Sequence, residues 1–448
     1  MLLDSNSKEI VSDQNQEFKG LTPKIHRKDK KLLFIFPERI EFIKIVKSLS
    51  RALLKNEISI VVLLDEHETN VLFENEVDGV IFKDLSNYSS KNALCILNEE
   101  RPSLVVTDND QEPIRGAFVI TARILNIPIL ILREMVMVTK PKFDQMFFLV
   151  FRKLGEIPRL FAKYFFCFKS ILVIKPSYFF NLYEVFRRFI YHLSNPTAGE
   201  FADYILTNTD EDARLLEKLC SRPRFIHAVG DPRFDDIVNV SFFERKKIRE
   251  EINRSFNIHS HKKIILFLSS SQVEHGMWSV EKKKQVNNEI LDLFSKFQNE
   301  AEIIIKLHPV EKNIFPLIWK PNYNGFIHVT DFDVSKLIIA SDLVITWVST
   351  AMVNAVLARK PLVVIDFFND GVTGGVLLST QAIVDNGAAL MAVNGSNLFD
   401  CVKLILSDND FVKALQSRQE LFHSTYLKRI DGKSIDRISE TILDIIDC

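Results

Sequence analysis

Short apolar runs alternate with amphipathic stretches along the first half of the chain. Strand-like runs lie at 31–37, 58–64, 79–82, 103–106 and 127–132, and a helical pattern lies at 40–55. Short runs rich in Ile, Val and Phe, separated by amphipathic segments, are typical of parallel strands that helices cover on both faces. This half therefore predicts one parallel, helix-covered sheet.

The same alternation resumes in the second half. Strand-like runs lie at 264–268, 302–307, 325–329, 343–346, 361–365 and 388–393, and helical patterns lie at 280–296, 334–339, 350–358 and 398–406. A last helix is predicted at 434–446, and we expect it to return to the N-terminal domain. Two such doubly wound units in series place ligands at the carboxyl ends of their strands, in the cleft between the domains. The chain contains no GxGxxG or Walker A sequence, which argues against a dinucleotide or P-loop site.

Length and composition narrow the class of protein. A chain of 448 residues exceeds what one hydrophobic core usually organises, so two domains are expected. The net charge of −1 argues against a dedicated nucleic-acid-binding protein, which would carry an excess of basic residues. Five scattered cysteines without a CxxC pair fit a reducing compartment and predict neither disulfides nor a zinc site. With no apolar signal segment and no run of spanning length, the sequence predicts a cytoplasmic location.

One segment, at 140–192, breaks the alternation because it is crowded with aromatic and basic residues. Its ten cations and three anions give it a local charge of +7. A basic, aromatic, helix-compatible segment suits an interfacial membrane contact, in which rings enter the acyl boundary and cations meet anionic headgroups. The alternative is that the rings pack onto the N-terminal domain or onto a second copy of the chain. The sequence leaves both interpretations open.

Two groups of polar residues follow strands of the second half. The run at 303–309, IIIKLHP, ends with Lys306 and His308, and the strand at 343–346 is followed by Ser349 and Thr350. A cation and an imidazole at the carboxyl end of a strand lie where an α/β cleft meets phosphate, and the imidazole can neutralise or protonate a leaving phosphate. Backbone N–H groups at the start of the next helix also favour an anion, although Ser349 could instead be only a helix N-cap.

These motifs occur in an order that resembles a known group of enzymes. The pair His308–Pro309, followed by SDLVIT, ST, NA and KPLVVID within 341–366, resembles the C-terminal domain of GT-B transferases of surface-polymer biosynthesis. This group includes the CDP-glycerol glycerophosphotransferases, the capsular polysialyltransferases and, more distantly, the non-hydrolysing UDP-N-acetylglucosamine 2-epimerases. Three further stretches are similar to family passages: RPSLVV with NIPILIL in 101–132, HAVGDPRFDD at 227–236, and DGKSIDRI at 431–438.

The resemblance implies an α/β fold with two Rossmann-like doubly wound domains facing across a cleft (GT-B), to which the aromatic basic helical insert is added. The family motifs cover about 31–135 and 200–446, so the insert has no counterpart in them. The expected organisation is a flexible leader at 1–30, an N-terminal acceptor-side domain at 31–135, the insert at 136–198, a return and interdomain crossing at 199–235, a C-terminal nucleotide-binding domain at 236–433 and a C-terminal helix at 434–448.

On the donor side, the resemblance implies roles for residues of the second half. His308 is similar to the family histidine that contacts the donor's phosphates, and Ser349 and Thr350 are similar to the paired hydroxyl residues that hold the phosphate or nucleotide. Asn354 stands where many GT-B enzymes hold the ribose with Glu, so a neutral amide replaces a carboxylate. Lys306, at the end of its strand, is a further candidate ligand. The loop at 269–276 could be a simple solvated turn, but it also contains candidate ligands: Ser269, Ser270, Ser271 and His275.

On the acceptor side, an inverting transfer needs a base that takes the proton of the acceptor hydroxyl. The candidates are acidic residues at strand ends of the first half: Asp108, Asp110 and Glu134. Arg133 and Glu134 stand where the glycerophosphotransferases carry a His-Gly pair. The triplet at 108–110 is similar to a metal-binding DxD sequence, but it lies in the acceptor half, and the resemblance implies no metal and no cofactor.

The sequence thus predicts a metal-independent transferase that passes a nucleotide-activated sugar or polyol phosphate to a glycan or lipid-linked acceptor at the cytoplasmic membrane face. No nucleic acid partner is expected. Two alternatives stay open: a UDP-sugar 2-epimerase on the same fold, and a non-catalytic GT-B-like protein that binds a membrane or a partner enzyme. The departures at Asn354 and at Arg133 and Glu134 keep the non-catalytic alternative open.

Overall fold

The computed structural model describes residues 30–35, 40–64, 77–89, 92–108, 110, 113–133, 202–220, 223–274, 278–309, 311, 314–319, 325–368 and 378–447. The predicted insert at 136–198, the leader up to residue 29, Glu134 and His275 lie outside these residues. Within the described ranges, no helix is long and apolar enough to cross a membrane.

The first sheet contains seven parallel strands in the order β3-β2-β1-β4-β5-β6-β7. Its strands are β1 (Lys31–Ile35), β2 (Ser59–Leu64), β3 (Val80–Asp84), β4 (Leu104–Thr107), β5 (Ile129–Leu132), β6 (Tyr204–Thr207) and β7 (Phe225–Ala228). Its helices are α1 (Ile40–Leu53), α2 (Ala93–Glu100), α3 (Pro113–Ile124) and α4 (Asp210–Leu219), with short 3-10 turns at Leu54–Asn56 and Leu85–Asn87. The five predicted strands and the predicted first helix of this half are confirmed, with shifts of one or two residues at most of their ends.

Successive residues of the strands are buried on opposite faces of this sheet, which explains the nearly continuous apolar runs. Leu33 and Ile35 of β1 pack with α2, α3 and α4 on one face. Leu32 and Phe34 pack on the other face with α1 and with the last helix of the chain. A strand covered on both faces must be apolar throughout, since neither set of side chains reaches water.

The second sheet contains six parallel strands in the order β10-β9-β8-β11-β12-β13. Its strands are β8 (Lys263–Leu268), β9 (Ala301–Lys306), β10 (Phe326–Val329), β11 (Leu343–Trp347), β12 (Leu362–Ile365) and β13 (Leu390–Ala392). The remaining helices are α5 (Pro232–Val238), α6 (Phe242–Phe256), α7 (Val280–Ser295), α8 (Phe315–Ile318), α9 (Val334–Ala340), α10 (Ala351–Leu357), α11 (Leu378–Asp385), α12 (Gly395–Ser407), α13 (Asn409–Tyr426) and α14 (Ser434–Asp447). All six predicted strands of this half are confirmed, and the chain has the predicted α/β architecture of two parallel sheets.

The last helix returns to the first domain, as predicted. Ile438, Ile442 and Ile445 of α14 lie in the core beneath the first sheet. The Asp235 carboxylate, on α5, accepts hydrogen bonds from the backbone N–H groups of Ser434 (3.0 Å) and Ile435 (3.2 Å) and from the Ser434 hydroxyl (2.8 Å). It thereby satisfies backbone donors that the first turn of a helix leaves without partners.

This junction joins two of the sequence motifs quoted above. The Arg437 guanidinium, from the motif at 431–438, donates to the carbonyl of Val229 (2.9 Å), from the motif at 227–236. Together with Asp235 and Ser434, these residues form the interdomain clamp, a name we keep for Val229, Asp235, Ser434 and Arg437. The motif at 227–236 is therefore structural at Val229 and at its second Asp position.

Gly230 is expected to tolerate no side chain in this clamp. Its φ is +91°, and a Cβ would lie 2.2 Å from the Arg429 carbonyl oxygen and 2.4 Å from the Ser434 hydroxyl. Gly230→Ala should therefore lower the free energy of unfolding by at least about 1–3 kcal/mol, measured by urea denaturation. Gly395→Ala is the control, because the nearest atom to its Cβ is the end of the Glu289 side chain, which can move. Equal stability of the two variants would contradict the proposed close approach.

Candidate functional site

The predicted donor residues follow three strands that are neighbours in the second sheet. β9, β8 and β11 lie side by side, and their carboxyl ends lead into the loops that begin at 307–309, 269–272 and 348–350, respectively. Chain connections leave β8 and β11 in opposite directions, which makes this edge the switch point where doubly wound sheets bind ligands. The fold thus brings one set of predicted residues to a single edge: Ser269, Ser270, Ser271, His308, Ser349 and Thr350.

His308 lies in a tight turn closed by Glu311. The His308 backbone N–H donates to the Glu311 carboxylate (3.0 Å), and the Glu311 N–H donates to the His308 carbonyl (2.9 Å). The Glu311 carboxylate also accepts from the Ser269 hydroxyl (3.0 Å), so it links the loop after β9 to the loop after β8. The imidazole itself is half-buried at the strand end. A buried carboxylate therefore fixes the main chain on which the candidate histidine stands.

Lys283 of α7 completes this arrangement from below the loops. Its ammonium donates to the Ser270 carbonyl (2.8 Å) and to the Gln272 side-chain oxygen (2.6 Å), and it lies 3.4 Å from the Glu311 carboxylate. The side chains of Lys283 and Glu311 are both 0% exposed. We call Lys283, Glu311, Ser269 and Gln272 the buried polar cluster.

Burial and mutual attraction set the protonation of this pair. Burial lowers the pKa of the Lys283 ammonium, and the Glu311 carboxylate opposes part of that fall. Burial likewise raises the pKa of the Glu311 carboxyl, and the charge of Lys283 acts in the opposite direction. Each charge is therefore tolerated in the interior because the other is present.

The loop after β11 presents hydroxyl groups at the same edge. Thr350 is exposed and Ser349 half-buried, and the Ser349 hydroxyl lies 3.1 Å from that of Thr346. The helix α10 begins at Ala351 without a side-chain cap, so the interpretation of Ser349 as an N-cap is wrong: its hydroxyl is bonded to Thr346 instead. Asn354 lies one turn into α10, and its side-chain oxygen is buried and accepts no hydrogen bond from the described residues.

Lys306 is directed differently from the other predicted ligands. Its ammonium donates to the carbonyls of Thr330 (2.6 Å) and Leu307 (3.1 Å), and the residue is only 8% exposed. These bonds hold the ammonium between the ends of β9 and β10. Its contact with a donor phosphate stays a prediction.

At the carboxyl edge of the first sheet, Asp108 is engaged in an ion pair. Its carboxylate lies 3.2 Å from Nε of Arg115, a side chain that is 1% exposed. Asp108 therefore balances the charge of a buried cation. Asp110, two residues further along the chain, is half-exposed. The assignment of either residue as the base stays a prediction, as does that of Glu134.

A further acidic residue at this edge, Asp212, was not among the predicted candidates. It lies in the first turn of α4, where its N–H donates to the Thr209 hydroxyl (3.1 Å). Burial raises the pKa of Asp212 to about 6, against the effects of Thr209 and of the Arg133 charge. Burial also lowers the pKa of Arg133, which the carboxylates of Asp110 and Asp212 oppose.

A cleft with about 420 Å³ of open space lies beside these groups. Its polar lining consists of Arg133, Asn208, Asp231 and Arg233, and Leu132, Val229 and Ile438 contribute to its apolar lining. The Arg233 guanidinium donates to both oxygens of Asp231 (3.0 and 2.6 Å), and the Asn208 amide also donates to Asp231 (2.9 Å).

Of the buried polar cluster only Ser269 was predicted as a site residue, although the sequence contained a signal for both Glu311 and Lys283. Glu311 follows His308 by three residues, the spacing at which a carboxylate can bond back to a backbone N–H. Lys283 lies at the middle of a run of three lysines, but it shares a helix face with the buried residues Val286, Asn287 and Ile290. Helical spacing rather than composition was the informative signal.

Comparison with known protein families gives a match over the second half of the chain. A sequence profile described as CDP-glycerol:poly(glycerophosphate) glycerophosphotransferase matches residues 197–444, more than half of the chain. No curated protein sequence gives a significant match.

Several solved structures share the fold. A variant of the wall teichoic acid polymerase TagF superposes with a TM-score of 0.61 at 15% identity, covering 98% of this chain and 96% of that one. HepE from Anabaena, in complex with UDP and glucose, gives 0.52 at 15% identity and covers 93% and 100% of the two chains. The UDP-GlcNAc 2-epimerase of Methanocaldococcus jannaschii gives 0.54 at 16% identity, covering 92% and 99%. At such identities these likenesses establish the two-domain GT-B fold and nothing finer.

Proposed function

Because the chain belongs to the CDP-glycerol:poly(glycerophosphate) glycerophosphotransferase family, we propose that it transfers a sugar or polyol phosphate from a nucleotide donor to a glycan or lipid-linked acceptor. The observation that carries this proposal is the meeting of the serine loop, His308 and the hydroxyls at 349–350 at one strand edge. The donor's phosphates would lie at this edge, held by hydroxyl and backbone donors. Family membership favours this transfer over the 2-epimerase alternative.

In the proposed reaction, the acceptor hydroxyl oxygen attacks the transferred group, and the bond from that group to the nucleotide breaks. The nucleotide leaves with the electron pair as a phosphate or diphosphate, and the acceptor proton passes to a base of the first domain. His308 would stabilise or protonate the leaving phosphate, and this charge stabilisation would supply most of the rate. No metal or cofactor is included in the proposal, so activity should survive a chelator.

On the acceptor side, Asp108, Asp110 and Glu134 stay candidates for the base, and we add Asp212 to them. A general base works best when its pKa lies near the working pH, and burial brings Asp212 to about 6. We propose that the acceptor approaches through the cleft lined by Arg133 and Asn208. A glycan or lipid-linked acceptor would then meet the donor between the two strand edges, at the cytoplasmic membrane face.

The proposal is tested first by nucleotide binding. A ligand that binds only the folded chain must stabilise it, by about 2.7 kcal/mol at a concentration 100-fold above its Kd. We expect a thermal shift with at least one of CMP, CDP, UDP or GDP, or with a corresponding sugar or glycerol donor. Release of free nucleotide in the presence of an acceptor would then identify transfer, whereas conversion of a UDP-sugar without an acceptor would indicate epimerisation. Failure to bind any nucleotide would favour the non-catalytic alternative.

The double substitution Ser349→Ala/Thr350→Ala is expected to weaken donor binding by about 1–3 kcal/mol, the range for hydrogen bonds to charged groups. Isothermal titration calorimetry with the nucleotide identified by the thermal screen measures this loss. The control is Ser407→Ala, because that hydroxyl bonds only a helix carbonyl in an exposed position. If the double variant bound the nucleotide as tightly as the parent chain, the donor would lie elsewhere.

A further inference from the structure

Two adjacent phenylalanines at the surface of the second domain are largely exposed in the described structure. Phe242 and Phe243 are 78% and 81% exposed, the highest values among the large apolar side chains that the structure describes. Their rings contact each other edge to face, with centroids 6.1 Å apart. Large rings exposed as a pair are uncommon unless the surface meets a partner.

The rings project from a firmly anchored helix. They open α6, whose start is fixed by a capping box: the Ser241 N–H donates to Glu244 (2.8 Å), and the Glu244 N–H donates to the Ser241 hydroxyl (3.3 Å). Further along, Ile252 of α6 is buried in the core of the second domain. The capped start of the helix therefore holds both rings at the surface.

Two lysines lie one turn after the ring pair. Lys246 and Lys247 are both exposed. Arg245 and Arg249 of the same turns are directed inward, where they donate to the carbonyls of Ala358 (2.9 Å) and Lys262 (2.9 Å). The exposed Glu244 carboxylate accepts from the Ser241 hydroxyl (2.6 Å). The first two turns of α6 thus present two rings, two ammonium groups and one capping carboxylate to the outside, and we call Phe242, Phe243, Lys246 and Lys247 the ring–lysine surface.

The size of this surface argues for a membrane rather than a protein partner. Two phenylalanine side chains bury at most about 150–250 Å² each, well below the roughly 800 Å² per partner of a stable protein interface. A pair of protruding rings also needs a complementary pocket on a protein, whereas a bilayer deforms around it. Rings that enter the acyl boundary beside lysines that meet anionic headgroups are the elements of an interfacial anchor.

We propose that the ring–lysine surface is a docking point for an anionic lipid bilayer. It goes beyond the proposed transferase function, because it concerns where the chain binds and not what it transfers. The surface belongs to a different part of the sequence from the insert predicted at 140–192, so it would contribute to binding even where the insert also contributes. Sedimentation with lipid needs no catalysis, so this proposal and the proposed function can fail independently.

The experiment compares liposome sedimentation of the full-length chain and three variants. The variants are Phe242→Ser/Phe243→Ser, Lys246→Gln/Lys247→Gln and the control Leu421→Ser, an apolar side chain that is 67% exposed on α13. Vesicles contain phosphatidylcholine alone or phosphatidylcholine with phosphatidylglycerol. Thermal melts confirm that each variant is folded, which we expect because the substituted side chains are exposed.

We expect the parent chain to bind the anionic vesicles in preference to the neutral ones. The phenylalanine variant should lower the partition coefficient by at least about tenfold, since both rings lose their place in the acyl boundary. At about 1 M salt the screening length falls to about 3 Å. We therefore expect the lysine variant and the parent chain to bind anionic vesicles equally at that salt concentration. The Leu421 variant should bind as the parent does.

Three results would overturn the proposal. The first is that the parent chain fails to bind anionic vesicles. The second is that the phenylalanine variant binds them as tightly as the parent chain. The third is that the substitutions abolish a concentration-dependent self-association of the chain, seen by analytical ultracentrifugation, while leaving lipid binding unchanged. In that case the ring pair would be an interface between copies of the chain.

Discussion

His308→Ala is expected to lower kcat for transfer by about two to three orders of magnitude while leaving the chain folded, the loss usual for one group that stabilises transition-state charge. The structural bonds described for this residue involve its main chain: the N–H bond to Glu311 and the carbonyl that accepts from Glu311. Both bonds survive the substitution. The loss should therefore fall on the chemistry of the imidazole and not on the turn.

Steady-state kinetics with the natural or a surrogate donor measure this effect, and a thermal melt checks the fold. His259→Ala is the matched control, because His259 is exposed before β8, at the opposite end of the strands from the candidate site. We expect the control to keep the kcat of the parent chain. Near-normal turnover by the His308 variant would reduce this residue to a turn former and would leave the leaving phosphate to other donors.

Glu311→Leu is expected to destabilise the chain by about 3–5 kcal/mol, because it leaves the Lys283 charge buried without its partner. The substitution also removes the acceptor of two hydrogen bonds, from His308 and from Ser269. Replacing both charges, in Lys283→Met/Glu311→Leu, should recover a large part of this loss. A buried pair replaced by apolar groups of similar size is often nearly neutral in stability.

Urea denaturation of the parent, the two single variants and the double variant gives the coupling energy between Lys283 and Glu311. Additive losses would show that the two charges do not depend on each other. The double variant also separates an effect on stability from an effect on the position of the loops. It should be folded, but it lacks the bonds that fix the loops after β8 and β9. We therefore expect it to bind the donor nucleotide more weakly than the parent chain, as measured by calorimetry.

The architecture could be predicted because both sheets bury their strands on two faces. The run at 264–268 predicts β8, observed as Lys263–Leu268, and the run at 343–346 predicts β11, observed as Leu343–Trp347. β6 and β7 were not predicted as strands. In β7, Phe225 and His227 are exposed and only Ala228 is buried. β7 lies at the edge of the sheet, so it does not need the continuous apolar run from which the other strands were predicted.

The candidate site could be predicted only to the level of strand ends. Sequence order places Ser269, His308 and Ser349 after strands, and parallel pairing then brings these ends together. It does not give the direction of a long side chain: Lys306 has the same strand-end placement as His308 but donates to Thr330. Nor does a lysine-rich run reveal that Lys283 is buried, because burial depends on which face of α7 meets the sheet.

The interdomain clamp has a consequence for the order in which the chain folds. Ser434, which Asp235 binds, is synthesised 199 residues after it. At about 5–20 residues per second, β1 to β7 wait roughly 10–40 s for the helix that covers one face of their sheet. During this interval the core that holds Leu32, Phe34 and Ile60 lacks Ile438 and Ile442, so part of its apolar surface waits for α14. The second domain, contiguous in sequence, can close before then. The domain that is translated first is therefore completed last.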